Sequence, residues 1–341
     1  MDLGVVGETL PKLTEYKIMG ASAAVIKDGS LLYFASAGVL DSETGNKVKP
    51  NSLFQAASLS KLINAIGMLK LVDKGLIKLG DDIRDFVGAM SVPADPSHNS
   101  KPSIRRILRH HAGISQSGFN GYRSHINPLP TLNQIISGAN NANHDAIVFN
   151  EVPGKAYNYS GGGTTLLQKA LEVVTGETYQ TWMKREVLMP LGMYRSTFDL
   201  RPPGGSANDV EIASGHKASG QVWPGKRNNY PESAAAGLYS TAIDLSQAIK
   251  LINGRGVIDG RVFLPSSLID KMLNRGQTAN VGLGCFLSSS GVWNHEGSNK
   301  GFRCKIEGHP TNKSGLILLT NTDDSDRMND YFRVLKRTHS L

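Results

Sequence analysis

The sequence predicts an α+β fold in which an antiparallel sheet flanked by helices joins a mostly helical lobe, with a cleft between the two. Three observations carry this. A hairpin signal stands near the N-terminus, the same grammar returns near the C-terminus, and the chain between them has the period of helices. A sheet assembled from both termini, with the middle inserted as a helix-rich region, satisfies all three. One domain over 1–341 is expected, its sheet-bearing lobe drawn from about 1–75 and 234–341 and its helix-rich lobe from about 76–233.

Taken in order, "SAAVIKDGSLLYFASAGVLD" at 22–41 sets apolar segments on either side of Asp28-Gly29, which predicts two antiparallel strands joined by a tight turn. From Ser58 onward, Leu62, Ala65, Ile66, Leu69 and Val72 fall at helical spacing and Lys74-Gly75 supplies a stop, so a helix with one buried stripe is expected. "PTLNQIISGANNA", "TTLLQKALEVVTG" and "TYQTWMKREVLMPLGM" carry the same spacing, the second ended by Gly176 and the third by Pro190. The glycine- and proline-bearing stretch 199–233 is longer than a connection needs to be, and such loops wall binding clefts. "GFRCKIEG" and "SGLILLTN" flank the turn-like "HPTNK" as a second hairpin. "DSDRMNDYFRVLKR" then reads as a terminal helix with Phe332, Val334 and Leu335 on or near its apolar side.

Composition narrows the function classes. With 40% hydrophobic and 19% charged residues in 341, the chain can bury a sizeable core and is not disordered throughout. No apolar run approaches the roughly 20 residues that cross a bilayer, so no membrane span is expected. The net charge of +8 is scattered except for "SIRRILRHH" at 103–111 and "FRVLKRTH" near the end. Both runs read as solvated faces. Without an interleaved aromatic motif they give no reason to expect a nucleic-acid partner. The N-terminal "MDLGVVGETLPKLTEY" lacks a basic segment followed by a long apolar one, so it does not read as a secretory leader as it stands. The sequence leaves the compartment unknown: cytoplasmic, or periplasmic or secreted for a chain whose leader has been trimmed.

Several residues read as structural. Cys285 and Cys304 have no CxxC spacing and read as small core hydrophobes, a single disulfide between neighbouring strands being the alternative. His110 and His111 are adjacent and cannot share a helix face, so a turn is expected there and not a metal site; no HExxH spacing occurs either. Gly161 to Gly163 lack the Gly-Lys-Ser/Thr of a phosphate loop and suit a tight approach to a helix N-terminus. Asp28 and Asp244 fall at structural positions, and Glu296 and Asn299 are assigned no chemistry.

The segment "QAASLSKLINAIG" at 55–67 carries the strongest chemical signal. Positions three apart share a helix face, so the Lys61 amine faces the Ser58 hydroxyl, whereas Ser60 points about 100° away from Ser58's neighbour on the wheel. A serine becomes nucleophilic when a base removes its proton, and a lysine can do so when desolvation or nearby positive charge lowers its pKa. The competing reading is that Ser58 caps the helix and Lys61 snorkels to water. Two more stretches bear on the choice: "AYNYSGGGTTLLQKALEVVTG" at 156–176 and "VWNHEGSNKGFRC" at 292–304.

The ordered set Ser58-x-x-Lys61, Tyr159-Ser160-Gly161 and His295-Glu296-Gly297 resembles the serine β-lactamase and penicillin-binding protein superfamily, especially its class C β-lactamase, D-alanyl-D-alanine peptidase and related esterase branch. "SIRRILRHHAGI", "VLMPLGM" and "AAAGLYSTAIDLSQ" are similar to ancillary segments of that family, so the resemblance covers nearly the whole chain. It implies a β-lactamase-like fold and a cofactor-independent serine hydrolase acting on a small acyl substrate: an ester, an amide or a β-lactam. It makes Ser58 the nucleophile, Lys61 its proton-transfer partner and Tyr159 a sharer of the acid/base role with a phenol pKa lowered by the lysine. Which of Lys61 and Tyr159 takes the serine proton stays open.

The resemblance also implies that Gly297 lets substrate approach the strand backbone and that the Ser58 and Ser298 amides form an oxyanion hole. His295 stands where many relatives carry lysine or arginine. It is expected to donate to a substrate carboxylate or to Tyr159, with a charge that varies near neutral pH. One departure matters: the tyrosine motif usually ends in asparagine, which holds an acylamido side chain, and here the position is Gly161. Ser-Asp-Asn and Lys-Thr-Gly are absent too. An esterase-like hydrolase through an acyl-Ser58 intermediate is the expected function, with D-amino-acid peptidase, acyltransferase and a catalytically silent ligand-binding relative as alternatives.

Overall fold

Strands β1 (Gly20–Lys27) and β2 (Ser30–Gly38) form where apolar and small residues alternate on both sides of Asp28-Gly29, and they pair antiparallel with Lys27 opposite Ser30. The computed structural model describes residues 10, 13–97, 100–139, 141–201, 211–276 and 280–341. Near the other end lie β3 (Phe286–Leu287), β4 (Trp293–Asn299), β5 (Phe302–His309) and β6 (Ser314–Thr320). The six make one antiparallel sheet in the order β3-β4-β5-β6-β1-β2, in which β6 sits beside β1 with Ala23 opposite Leu318. The two ends of the chain thus complete each other's sheet.

Burial explains the strand sequences. Strand β6 is buried at every position and carries four consecutive aliphatic residues because both faces of the sheet are covered there: Ile317 and Leu319 join the larger core, Leu316 and Leu318 a second one. Strand β5 alternates instead, with Phe302, Cys304 and Ile306 buried and Arg303, Lys305 and Glu307 only partly so. The second core is closed by the terminal helix α4 (Ser325–Thr338), whose Met328, Tyr331, Phe332 and Leu335 are buried. Val334 lies on its flank, half-buried.

The opposite face of the sheet is covered by α1 (Leu59–Asp73) and α3 (Ala242–Asn253). Helix α1 departs from the expected single stripe: every residue from Leu59 to Leu69 is buried, including Lys61 and Asn64. The cause is its position, with strands β4 and β5 on one side and the helices of the middle segment on the other. Those include α2 (Gly161–Thr175), stopped by left-handed Gly176, and the helix Tyr179–Met183, which widens into a π turn over Lys184–Leu188 before Pro190. Thr131 and Gln134 form a capping box on the helix Leu132–Ser137. Between 76 and 233 the described residues contain no strand longer than two residues. Of the long connection at 199–233, residues 202–210 lie outside the described residues. Among the described residues no helix is long and apolar enough to cross a membrane.

Candidate active site

The short strand Phe54–Gln55 passes into α1 through Ala57, whose left-handed φ of 48° turns the chain so that Ser58 stands at the helix start. Ser58 makes no side-chain capping bond. Its hydroxyl, half-buried, lies 3.0 Å from Lys61 Nζ, one turn along the same face. Ser60 points elsewhere: it is fully buried, donates to Ala57 O (2.5 Å) and accepts from Leu238 N (3.0 Å). Lys61 does not snorkel. It is 4% exposed and donates to Ala235 O at 2.8 Å, and burial pushes its pKa down to about 7.

Tyr159 arrives from the loop before α2. Its hydroxyl is hydrogen-bonded with Ser58, and Lys61 Nζ lies 5.1 Å from its ring centroid. Burial pushes the phenol up to about 12, the reverse of the lowering expected from a neighbouring lysine. The physical reason is that Lys61 is itself desolvated, and an amine poised near neutrality offers little charge to hold a phenolate.

The loop is clasped by the two histidines that sequence reading assigned to a turn. His110 takes a left-handed φ of 55°, its carbonyl accepts from Asn158 N (2.7 Å) and its Nδ1 from Ser160 N (3.2 Å), while His111 O accepts from Gly154 N (2.6 Å). The His110 ring also lies 4.4 Å from the Tyr159 ring, a positioning contact the sequence reading missed. Nothing local announces it, because the partner is far along the chain. Burial holds His110 well below the usual histidine range, so it adds no charge.

His295 projects from β4 and is 1% exposed. Its Nδ1–H donates to Glu296 O at 2.7 Å, which leaves Nε2 as the lone-pair nitrogen, without a hydrogen-bond partner among the described residues. The ring lies 5.3 Å from Phe286 and 6.4 Å from Tyr159. Burial, then the charge of Lys61, push its pKa to about 4. The expectation of a donor with variable charge near neutral pH is therefore corrected: His295 is a neutral acceptor there.

Strand β3 pairs with β4 only at Trp293 and Asn294, so from His295 to Asn299 that edge of β4 is open. Ser298 is exposed on it. Gly297 has a packing reason of its own. A Cβ there would stand 2.3 Å from Cys304 Sγ, 2.6 Å from Ala56 O and 3.1 Å from Ala57 Cβ, so glycine is what lets β4 press against the turn that carries Ser58. Cys304 adds a bond, its thiol donating to Ala56 O at 3.0 Å. Both cysteines are free, so the disulfide alternative is not realised. Asn299 Nδ2 donates to Gln55 Oε1 and Ala236 O, each at 3.1 Å, tying the strand end to the same turn.

The space beside Gly161 is occupied. A Cβ built there would meet Phe119 Cε2 and Ser117 O, both at 3.1 Å, so the 117–119 loop crowds this position. Gly161 to Gly163 do lie tight against a helix start, where Ser160 Oγ caps Gly163 N at 2.8 Å. Among the described residues no group of three or more His, Cys, Asp or Glu could hold a metal ion. Asp244 is structural: it accepts from Arg195 N (2.9 Å) and Ser196 N (2.7 Å). Glu296 pairs with Lys305 at the rim.

The chain matches the family model described as Beta-lactamase over residues 8–338. It is 26% identical to Esterase EstB of Burkholderia gladioli over 294 residues, 79% of this chain and 73% of that protein. It is 29% identical to Penicillin-binding protein 4 of Amycolatopsis lactamdurans over 183 residues, 54% of this chain and 45% of that one, so the match spans less than half of that relative. The octameric penicillin-binding protein homologue from Pyrococcus abyssi superposes with a TM-score of 0.72 at 25% identity, over 91% of this chain and 71% of that chain. A family match that runs from residue 8 to 338, on a fold shared with a solved homologue, shows that the chain belongs to the beta-lactamase family.

Proposed function

We propose that this protein is a serine hydrolase that cleaves small carboxylic esters through an acyl-Ser58 intermediate. The observation that carries the reading is the Lys61 amine, 3.0 Å from Ser58 Oγ, with its pKa brought to about 7. In the neutral amine one N–H donates to Ala235 O while the lone pair accepts the Ser58 proton. Ser58 Oγ then attacks the carbonyl carbon, and the amides of Ser58 and Ser298 stabilise the oxyanion. As the C–O bond to the leaving group breaks, the proton on Lys61 passes to the departing oxygen through the Tyr159 hydroxyl, which stays a neutral phenol. Water adds to the acyl-enzyme by the same route in reverse and Ser58 regains its proton. His295, uncharged near neutral pH, places no positive charge in the cleft.

Ester over acylamide is supported by Gly161, which brings no amide group, and by Phe119, which covers that wall with a hydrocarbon ring. The relative named Esterase EstB supports the same preference. Intact mass spectrometry after exposure to a fluorophosphonate and to a penicillin tests it, with Ser58→Ala as control. Labelling at Ser58 with fast turnover of activated acetate esters and slow turnover of penicillin is the expected outcome; rapid penicillin hydrolysis without esterase activity would refute it.

A further inference from the structure

On the open side of Ser298 a cavity of about 290 Å³ lies between the 117–120 loop and the end of β4. Phe119 lines it on one side, and Lys300 and Arg303 bring positive charge to the other. The two cations differ. Arg303 is neutralised by its ion pair with Asp323, whereas Lys300, exposed, makes no ion pair among the described residues; its amine lies 5.7 Å from the Trp223 ring centroid. Asn120 and Lys300 also line a second cavity of about 470 Å³, together with Trp223.

We infer that this cavity is the acyl pocket and that it selects acyl chains ending in a carboxylate, whose methylenes lie along Phe119 and whose charge meets Lys300. The inference rests on the proposed acylation of Ser58. Lys300 stands two residues beyond Ser298, in the turn that follows the end of β4, so an acyl chain has to extend past the strand end for its carboxylate to meet the amine. The recognised anion belongs to the acyl part and stays on the enzyme after the leaving group departs. Because Lys300 is exposed, the gain is modest: a pair of this kind favours the charged chain by roughly fivefold and is screened by salt.

The test compares mono-p-nitrophenyl adipate with p-nitrophenyl hexanoate, equal in chain length, on the full chain at low ionic strength. The adipate is expected to show a kcat/KM about fivefold higher, expressed through KM. Lys300→Met brings the ratio to about one, Lys300→Glu inverts it, and about 0.5 M salt collapses it in the unaltered protein. Turnover of p-nitrophenyl acetate stays the same in all three forms, which also reports that each is folded. Equal rates on the two esters, or a preference that survives in Lys300→Met, would overturn the assignment while leaving the esterase reading standing. Failure to turn over even the acetate in a Ser58-dependent way would overturn both.

Discussion

Helices α1 and α4 are nearly equal in length, 15 and 14 residues, and cover opposite faces of one sheet, yet only one can carry chemistry. Helix α4 is one-sided: Met328, Tyr331, Phe332 and Leu335 enter the smaller core, and its charged residues lie at the rim, where Lys336 reaches Glu307. Helix α1 is enclosed from Leu59 to Leu69 on every side. A lysine on α4 keeps its water; a lysine at the start of α1 loses it, and with the water goes the stabilisation of its charge. In the proposed reaction, enclosure is what lets a serine and a lysine at helical spacing serve as nucleophile and base.

The sharpest way to break this contrast is substitution in α1. Ser58→Ala is expected to abolish acyl-enzyme formation, and Lys61→Met to lower kcat/KM about a thousandfold, as loss of a general base does. Lys61→Met should also raise stability by on the order of 1 kcal/mol, because a methionine fits the enclosed site without the desolvation penalty of an amine. Thermal melts beside esterase assays read both effects. A Lys61→Met protein that kept its activity would remove the amine from the mechanism.

In α4 the expected pattern is the reverse. Phe332→Ala leaves a cavity under the sheet and is predicted to cost about 3–5 kcal/mol in denaturant unfolding, with kcat/KM of the folded fraction changed less than twofold. A large drop in kcat/KM at constant folded fraction would show that the two faces are coupled.

The pH profile sharpens the comparison further. Lys61 must be neutral to accept a proton, so log kcat/KM rises with unit slope up to pH about 7 and then levels. Neither His295, near 4, nor Tyr159, near 12, adds a limb between about pH 7 and 10. Stability follows the same residue. From about pH 7 to the ordinary lysine value of 10.5 the unfolded chain holds a proton that the folded one lacks, so this contribution to stability increases with pH across that window. Lys61→Met should flatten both curves. The smallest effect is expected on the exposed flank of α4, where Arg333→Ala, which removes only the surface pair with Asp330, should change stability by no more than about 0.5 kcal/mol.

Much of this was legible in the residues. The hairpin at Asp28-Gly29, the stops at Gly176 and Pro190 and the terminal helix are local features, set by turn geometry and side-chain period, and they stand where the sequence puts them. The pairing of Ser58 with Lys61 is local too, since one helical turn fixes it. What could not be read were properties that depend on distant partners. At Gly297 the close approach of Ala56, Ala57 and Cys304 comes from residues distant along the chain or across strands. His110 looked like a turn residue and also holds the Tyr159 ring. At Gly161 the side a Cβ would take faces Phe119 and Ser117, which the tyrosine motif by itself does not announce.

By itself, the sequence determined which groups exist and how neighbours along the chain face each other, because helix and strand periods are fixed by backbone sterics within a few residues. The tertiary structure decided their protonation: Lys61 near neutrality, Tyr159 kept as a phenol and His295 kept uncharged. A pKa is set by how much water is removed and which charges stand nearby in space, and both are settled only when elements far apart in the chain close around the group.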